Sequence, residues 1–167
     1  MLRKLMRVLL MLSLTGLLMA SCGPQEEQLK WERIVQDDLG NQYSGGPKLA
    51  VVTSQEEVSI LENEIIPRDI VQVLDCDFSG YVVLVIFQGY QGHADHSIEV
   101  TGVTKDEDVI TVDAKFLEPE PGEVLKPAES SPYYVLKIKK TPDLRGELTF
   151  VLVADGEEIM HQSRAIP

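Results

Sequence analysis

The sequence predicts a mainly β fold, an antiparallel sheet, sandwich or partly open barrel, with one short helix on its N-terminal side. Along most of the chain, apolar residues alternate with polar ones, which is the period of a half-buried strand. One run, Tyr81 to Phe87, is apolar at every position, as expected of a central strand that is covered on both faces. Residues 53–65 instead place their apolar side chains at helical spacing.

The predicted helix has a recognisable start and an apolar stripe. Ser54 is followed three residues later by Glu57, which is the spacing of a capping box. Val58 and Leu61 then lie on one stripe, and Ile65 extends it. This helix is the segment that would cover the second face of the central strand.

Short apolar runs around this helix predict three further strands. Residues 29–35 would form an edge strand, and residues 48–54 would form a strand that leads into the helix. Pro67 would end the helix, because proline commonly follows a helix that it cannot continue. Residues 70–74 would then form the strand that precedes the central one.

The second half of the chain is predicted to form antiparallel strands joined by turns. Gly102 predicts a bulge within one of these strands. Residues 105–108, Lys-Asp-Glu-Asp, would turn that strand into the next. Asp155-Gly156 predicts a hairpin, because a type I′ turn requires positive φ angles. The alternating runs are residues 96–103, 108–116, 133–140 and 147–154.

The chain opens as a signal peptide does. Arg3, Lys4 and Arg7 precede residues 8–20, which carry no charge and are shorter than the about 20 residues of a membrane-spanning helix. The following Met-Ala-Ser-Cys resembles the lipobox of bacterial lipoproteins. This resemblance implies that Cys22 is lipidated, since two or more long acyl chains anchor a protein stably where one would be marginal. The alternative is an ordinary secretory signal with an incidental cysteine.

These features divide the chain into a signal peptide over residues 1–21, a tether over 22–28 and a single β-rich domain over 29–167. We expect the mature protein to be held at the bilayer by acyl chains on Cys22, in the cell envelope and facing the exterior or periplasm. If the cell has two membranes, we expect the outer one, because Gly23 rather than Asp follows the cysteine.

The charge balance is strongly acidic. The chain has 15 Lys+Arg and 27 Asp+Glu, a formal net charge of −12. Removal of the three basic residues in the signal peptide leaves 12 − 27 = −15. Such a surface repels nucleic acid and anionic lipid. We therefore exclude nucleic-acid binding, and acyl chains rather than a basic patch must hold the protein at the membrane.

If Cys22 is lipidated, Cys76 is left as a single cysteine without a disulfide partner in the chain. Its neighbours Asp75 and Asp77 do not favour a thiolate, because reactive cysteines lie next to cationic groups. We predict that Cys76 serves as a small buried apolar residue.

Few residues have the chemistry of a catalytic or metal site. His93, Asp95 and His96 could offer two nitrogens and a carboxylate to zinc. On an extended strand, however, His93 and His96 would point to opposite faces, and they converge only if the segment is a turn. No paired-acid, nucleophile or phosphate-loop pattern is evident. We predict no metal, no cofactor and no enzymatic activity.

A long, proline-rich connection spans residues 117–132. Loops of more than about 12–15 residues in compact domains are usually functional or disordered. Prolines hold φ near −65° and reduce the entropy that is lost on docking, so a partner could use the segment as a semi-rigid recognition strand. The alternative is a solvated acidic crossover with no partner. The residues that we predict to contact a partner are Pro119, Pro121, Pro127, Pro132 and Tyr133.

The order of features over about residues 52–141 resembles the C-terminal domain of PrcB-like lipoproteins, which are associated with a secreted protease complex. The shared layout is a short helix, an Asp-Phe pair before an apolar strand, a tight loop, two alternating strands, and a proline-rich connection that enters a strand through Pro-Tyr. Residues 92–96 depart from the family, because they lack the second glycine of its Gly-Gly-Tyr-type entry. The matching positions are Asp77, Phe78, Gly89, Pro132 and Tyr133.

The resemblance implies an accessory role, in which a membrane-tethered domain binds, matures or stabilises an exported protease without being an enzyme. We predict an exported protein-binding module, with an exposed strand edge as the peptide contact, because added strands bind through main-chain hydrogen bonds. Two alternatives are a small-molecule-binding surface lipoprotein and an envelope spacer or adhesion module.

Overall fold

Two β-sheets packed face to face form the body of the protein in a computed structural model, which describes residues 26–40 and 42–167. This confirms the mainly β fold predicted from the sequence. The predicted signal peptide and Cys22 lie outside the described residues. Within those residues, no helix has the length and apolar character needed to span a membrane.

The first sheet has five strands in the order β1-β5-β6-β8-β9, and the second has four in the order β2-β7-β4-β3. A 3₁₀ helix, Glu56–Leu61, and an α-helix, α1, Pro67–Leu74, connect β3 to β4. The strands are β1 (Glu27–Gln28), β2 (Trp31–Asp37), β3 (Lys48–Val52), β4 (Tyr81–Phe87), β5 (Ser97–Asp106), β6 (Val109–Leu117), β7 (Tyr133–Lys139), β8 (Gly146–Ala154) and β9 (Glu157–Ile166).

Strand β4 lies between β3 and β7 and is buried on both faces, as its continuous apolar sequence predicts. Leu84 and Ile86 point between the sheets into a cluster that we call the inter-sheet core. Val83 and Val85 point to the other face, under the two helices, into a cluster that we call the helix-side core. The inter-sheet core also includes Ile98, Ile110, Val112, Tyr134, Leu136, Phe150 and Leu152, and the helix-side core also includes Val35, Val58, Leu61, Ile65, Ile70, Val73, Phe87 and Tyr133.

Several details of the strands agree with the sequence. The β5–β6 register shifts between Val100 and Gly102, where a bulge was predicted. Asp155 and Gly156 have φ angles of 54° and 84°, as the type I′ turn requires. Cys76 is half-buried against the helix-side core, and burial raises the pKa of its thiol, which disfavours the reactive thiolate.

The helical region differs from the prediction. The stripe of Val58, Leu61 and Ile65 is buried as expected, but only residues 56–61 form a helix, and it is of the 3₁₀ type. The Glu57 carboxylate accepts hydrogen bonds from the backbone and hydroxyl of Thr53, 2.8 and 3.0 Å, so the predicted pairing with Ser54 is wrong.

The predicted strand over residues 70–74 is also wrong, because this segment lies in α1. Pro67 occupies the start of that helix, where its missing N–H is not needed and its fixed φ favours helical backbone. Ile70 and Val73, three residues apart, face the helix-side core. A single proline thus separates two helical segments where the sequence indicated one helix and one strand.

One strand pair is parallel, which corrects the prediction of an entirely antiparallel fold. After β6, the chain crosses to the second sheet, forms β7, and returns to place β8 beside β6 in the same direction. The N-terminal boundary also differs from the prediction. Glu27–Gln28 pair with β5, and the hydroxyl of Thr104 donates to the Glu26 carboxylate at 2.7 Å, so the last residues of the predicted tether belong to the sheet.

Candidate functional site

One end of the sandwich gathers long loops from both halves of the chain. We call it the loop end, and it comprises residues 38–40, 42–47, 88–96 and 118–132. The backbone N–H of Tyr90 donates to the carbonyl of Gly45 at 2.9 Å. Gln91 and Ser130 exchange two backbone hydrogen bonds of 2.7 and 3.1 Å. These bonds join segments that are distant in sequence into one surface.

The loop end includes the proline-rich loop, residues 118–132, whose second half is held against residues 88–96. The Asp95 carboxylate accepts from the backbone N–H of Lys126 at 2.7 Å and lies 3.1 Å from its ammonium. The backbone bond from Lys126 is the main reason that the pKa of Asp95 is lowered. The Ser130 hydroxyl donates to the carbonyl of His93 at 3.0 Å. This half of the loop therefore has defined attachment points.

The first half of the proline-rich loop forms a tight turn and exposes its end. Glu123 donates its N–H to the carbonyl of Glu120 at 3.1 Å, and the intervening Pro121-Gly122 places a positive φ of 96° on the glycine. Proline followed by a glycine with positive φ is typical of a type II turn. The turn is followed directly by Val124, which is 96% exposed.

The residues predicted to contact a partner fall into two groups. Pro121 and Pro127 are exposed and Pro119 is half-buried, so their side chains are accessible on the loop. Pro132 and Tyr133 are buried, so their side chains are held inside the fold rather than presented on its surface. A partner contact on this loop would therefore involve its first three prolines and not the side chains of Pro132 and Tyr133.

Tyr133 instead links β7 to α1. Its hydroxyl donates to the buried Asp69 carboxylate at 2.7 Å, and burial, followed by this bond, raises the pKa of Tyr133. Arg68 and Gln72 also donate to Asp69, at 2.8 and 3.1 Å. Burial alone would raise the pKa of Asp69, but the bonds from Arg68 and Tyr133 outweigh it, and the pKa is lowered. This satisfied ionic cluster holds the helix to the sheet.

The other positions that we predicted to match the family lie at the ends of β4. The Asp77 carboxylate accepts from the hydroxyl and backbone N–H of Ser79, at 2.6 and 3.0 Å, and these bonds lower its pKa. Phe78 packs on the helix-side core. Gly89, just after β4, has a φ of 92°, and a Cβ there would lie 2.9 Å from the carbonyl carbon of Gly46. Gly89 is thus required for two loops to approach each other.

His93 and His96 lie next to each other, with stacked rings whose centroids are 4.5 Å apart and whose planes differ by 24°. They converge because residues 93–96 precede β5 and do not form a strand. Nearly parallel rings direct their in-plane lone pairs side by side rather than to one ion, and Asp95 faces Lys126 instead. Among residues 26–40 and 42–167, no group of three or more metal-ligating side chains occurs.

The histidines belong to a buried polar cluster that the sequence did not indicate. Gln88 and His96 are 5% and 6% exposed, and the Gln88 amide nitrogen lies 3.4 Å from Nδ1 of His96. Burial, followed by the charge of His93, lowers the pKa of His96. Among the described residues, the buried side-chain nitrogen and oxygen atoms without a hydrogen-bond partner are Gln88 Oε1, His93 Nδ1, His96 Nε2 and Ser131 Oγ.

The edges of the second sheet are poorly suited to strand addition. Edge strand β2 borders a polar cleft of about 500 Å³, but its register shifts between Arg33 and Val35, and a bulge disrupts the regular ladder that a new strand needs. At the opposite edge, β3, Met160 and Gln162 from β9 contact the backbone N–H and carbonyl of Leu49. These features make both edges of the second sheet weak candidates for the strand-edge contact that we predicted.

Residues 82–139 match the family described as PrcB C-terminal. This range is about a third of the chain and runs from β4 to the end of β7, so it includes residues 88–96 and the proline-rich loop. No curated protein and no solved structure matches the chain. The match confirms the resemblance predicted from the sequence over residues 82–139, which are similar to the PrcB C-terminal family.

Proposed function

We propose that the protein is an exported, lipid-anchored accessory module that binds another exported protein, and that this partner is a secreted protease. The observation that carries the proposal is the match of residues 82–139 to the PrcB C-terminal family. The resemblance to PrcB-like lipoproteins implies association with a protease, and the matched range contributes the larger part of the loop end.

The geometry of the matched range supports binding by contact. Its exposed side chains at the loop end combine apolar groups (Tyr90, Val124, Leu125 and two prolines) with four glutamates and Lys126, and an apolar centre with a charged rim is the composition of a protein contact surface. His93 and His96 stack on each other, and Asp95 is paired with Lys126, so these groups serve the internal structure of the loop end.

Reciprocal crosslinking in the native envelope, followed by mass spectrometry, tests the identity of the partner. We expect an exported protease among the proteins crosslinked to this chain, and this chain among those recovered when that protease is the bait. A parallel sample without crosslinker controls for adhesion during purification. Recovery of partners that include no protease would contradict the proposal.

The lipid anchor is tested by exchanging each cysteine in turn. We expect Cys22→Ser to abolish acylation, to change electrophoretic mobility and to release the protein from the membrane fraction, because the acidic surface gives it no other affinity for the bilayer. Cys76→Ser is the matched control and should leave membrane association unchanged. If Cys22→Ser left signal processing and membrane association unaltered, lipidation at this residue would be excluded.

A further inference from the structure

We propose that Val124 and Leu125, at the apex of the proline-rich loop, insert into an apolar cleft of the partner protein and that lysine or arginine side chains border this cleft. This inference rests on the proposed binding function, for which it names the contact surface and the chemistry of the partner. In this arrangement the groove belongs to the partner, and this protein supplies the segment that inserts into it.

The first argument is the exposure of apolar side chains at the loop end. Val124 is 96% exposed and Leu125 is 43% exposed. Leu39, Tyr90 and Leu117, at or next to the same end, are 65%, 48% and 42% exposed. Single exposed apolar residues are common, but several at one end of a molecule are typical of an interaction site.

The second argument is that the apex is presented by a supported loop. The type II turn over residues 120–123 directs the chain into Val124, and the Asp95–Lys126 pair fixes the residue that follows Leu125. The two backbone hydrogen bonds between Gln91 and Ser130 hold the C-terminal end of the loop in place. A loop that is ordered before binding loses less conformational entropy when a partner closes around it.

The third argument is the charge around the apex. Four glutamates and one lysine give residues 118–130 a formal charge of 1 − 4 = −3, and the lysine is already paired with Asp95. An apolar cleft with an acidic rim would be repelled by this loop, whereas a rim of lysine or arginine would attract it. The glutamates, all exposed, are Glu118, Glu120, Glu123 and Glu129.

A site-specific photocrosslinker tests the contact directly. Val124 is replaced by p-benzoylphenylalanine in the full chain, irradiation is carried out in the native envelope, and the adduct is mapped by mass spectrometry. Ile60, 51% exposed on the 3₁₀ helix, carries the same probe as the control. We expect residue 124, and not residue 60, to crosslink to a partner residue in an apolar cleft that lysine or arginine borders.

Several other outcomes would overturn the inference. These are crosslinks from residue 124 to lipid, to a second copy of this chain or to a polar or acidic surface, equal yields from residue 60, and no protein adduct at all. Because the adduct identifies whichever protein lies against residue 124, this result does not depend on the partner being a protease.

Substitutions give a second readout on the partner captured by the wild-type protein. We expect Val124→Asp with Leu125→Asp to weaken its binding at least tenfold, while Ile60→Asp leaves binding unchanged and all variants keep the thermal midpoint of the wild type. Equal binding by the apex variant would overturn the inference but leave the proposed function intact. Failure of the wild type to capture any protease would instead count against the proposed function.

Discussion

The Tyr133 hydroxyl stabilises the fold through Asp69, although the sequence predicts that Tyr133 contacts a partner at the surface. The alternation of residues 133–140 places Tyr133 on the opposite face of its strand from Tyr134, and the sequence predicts that Tyr133 contacts a partner. The structure covers that face with α1, whose Asp69 carboxylate accepts a hydrogen bond of 2.7 Å from the Tyr133 hydroxyl. Alternation alone cannot distinguish an exposed face from one that a helix covers.

We expect Tyr133→Phe to lower the free energy of unfolding by about 1.5–3 kcal/mol, the range for hydrogen bonds to charged groups, because the buried Asp69 carboxylate loses a donor. Tyr134→Phe removes a hydroxyl from the opposite face of the same strand and should cost less than about 1 kcal/mol. Urea denaturation compares the two. Equal losses of stability for the two variants would show that the hydrogen bond from Tyr133 to Asp69 does not contribute more than an ordinary hydroxyl group.

Gly89 permits a close approach of two backbones, so Gly89→Ala should destabilise the protein by more than about 1–2 kcal/mol. The Cβ would meet the Gly46 carbonyl carbon at 2.9 Å, in addition to the strain of a positive φ in a non-glycine residue. Gly92→Ala, in the same loop but with open space around it, should change stability by about 0.5 kcal/mol or less. Thermal unfolding measures both, and similar midpoints for the two variants would contradict this explanation.

The buried His96 should make stability depend on pH. Burial lowers its pKa below the unfolded value of 6.5, the charge of His93 acts in the same direction, and Glu118 and Asp95 oppose it. Since the unfolded chain takes up the proton first, the contribution of His96 is complete above pH 6.5 and is lost as the pH falls through 6.5 toward the folded pKa. We expect the free energy of unfolding to fall between pH 7.5 and 5.5.

His96→Gln should reduce this loss, whereas His161→Gln, at an exposed site on β9, should not. The lowered carboxyl pKa values of Asp69, Asp77 and Asp95 act at more acidic pH and do not compete in this range. Urea titrations at each pH measure the slope. An unchanged slope for His96→Gln would assign the effect to other groups.

At the scale of elements, helix α1 shows where local patterns mislead. Ile70, Val71 and Val73 are β-branched and favour strands, yet the segment is helical because Pro67 suits a first helical turn and the spacing of Ile70 and Val73 buries both. The sequence contained these helix signals, but a short apolar run such as residues 70–74 does not by itself distinguish a strand from a buried helical segment.

Val73→Ala should lower the free energy of unfolding by about 2 kcal/mol, because two methyl groups leave the helix-side core and a cavity remains. Val71→Ala, on the exposed side of the same helix, should be neutral or slightly stabilising, since alanine is the better helix former. Urea denaturation of both variants tests whether burial or helix propensity governs this segment. Equal effects would contradict the observed orientation of α1.

Strands and turns were the elements most accessible from the sequence. The alternation of Ile110, Val112 and Ala114, the Asp155-Gly156 turn and the bulge at Gly102 all depend on residues close in the chain. The parallel pairing of β6 with β8 depends on where β7 goes, which local patterns do not record. Likewise, the buried cluster around Gln88 and His96 arises only when residues 88–96 meet the proline-rich loop.

At the scale of the whole molecule, β4 and β7 supply both core clusters from their two faces. Loss of either cluster would expose one face of the same strands, so unfolding should be a single cooperative transition. Trp31, the only tryptophan, packs edge-on to Tyr134 with ring centroids 6.3 Å apart and reports on the inter-sheet core.

We therefore expect tryptophan fluorescence and far-ultraviolet circular dichroism to give coincident urea transitions. Coincidence follows because the packing around Trp31 and the β-structure that dominates the dichroism depend on the same two strands. A fluorescence change at clearly lower urea would show instead that β2 detaches before the sandwich opens.

The pairing of β8 with β6 determines how far the protein can be truncated. The range that matches the family stops at Lys139, so a fragment trimmed to 82–139 would lack β2 and β3 from one layer and β1, β8 and β9 from the other. Ile110 and Val112 would lose their register partners Phe150 and Leu152, and four strand edges, those of β4, β5, β6 and β7, would lose their neighbours. Such a fragment would be prone to aggregation, because unpaired strand edges can form hydrogen bonds with other chains. A usable recombinant piece has to begin before Trp31 and retain Ile166.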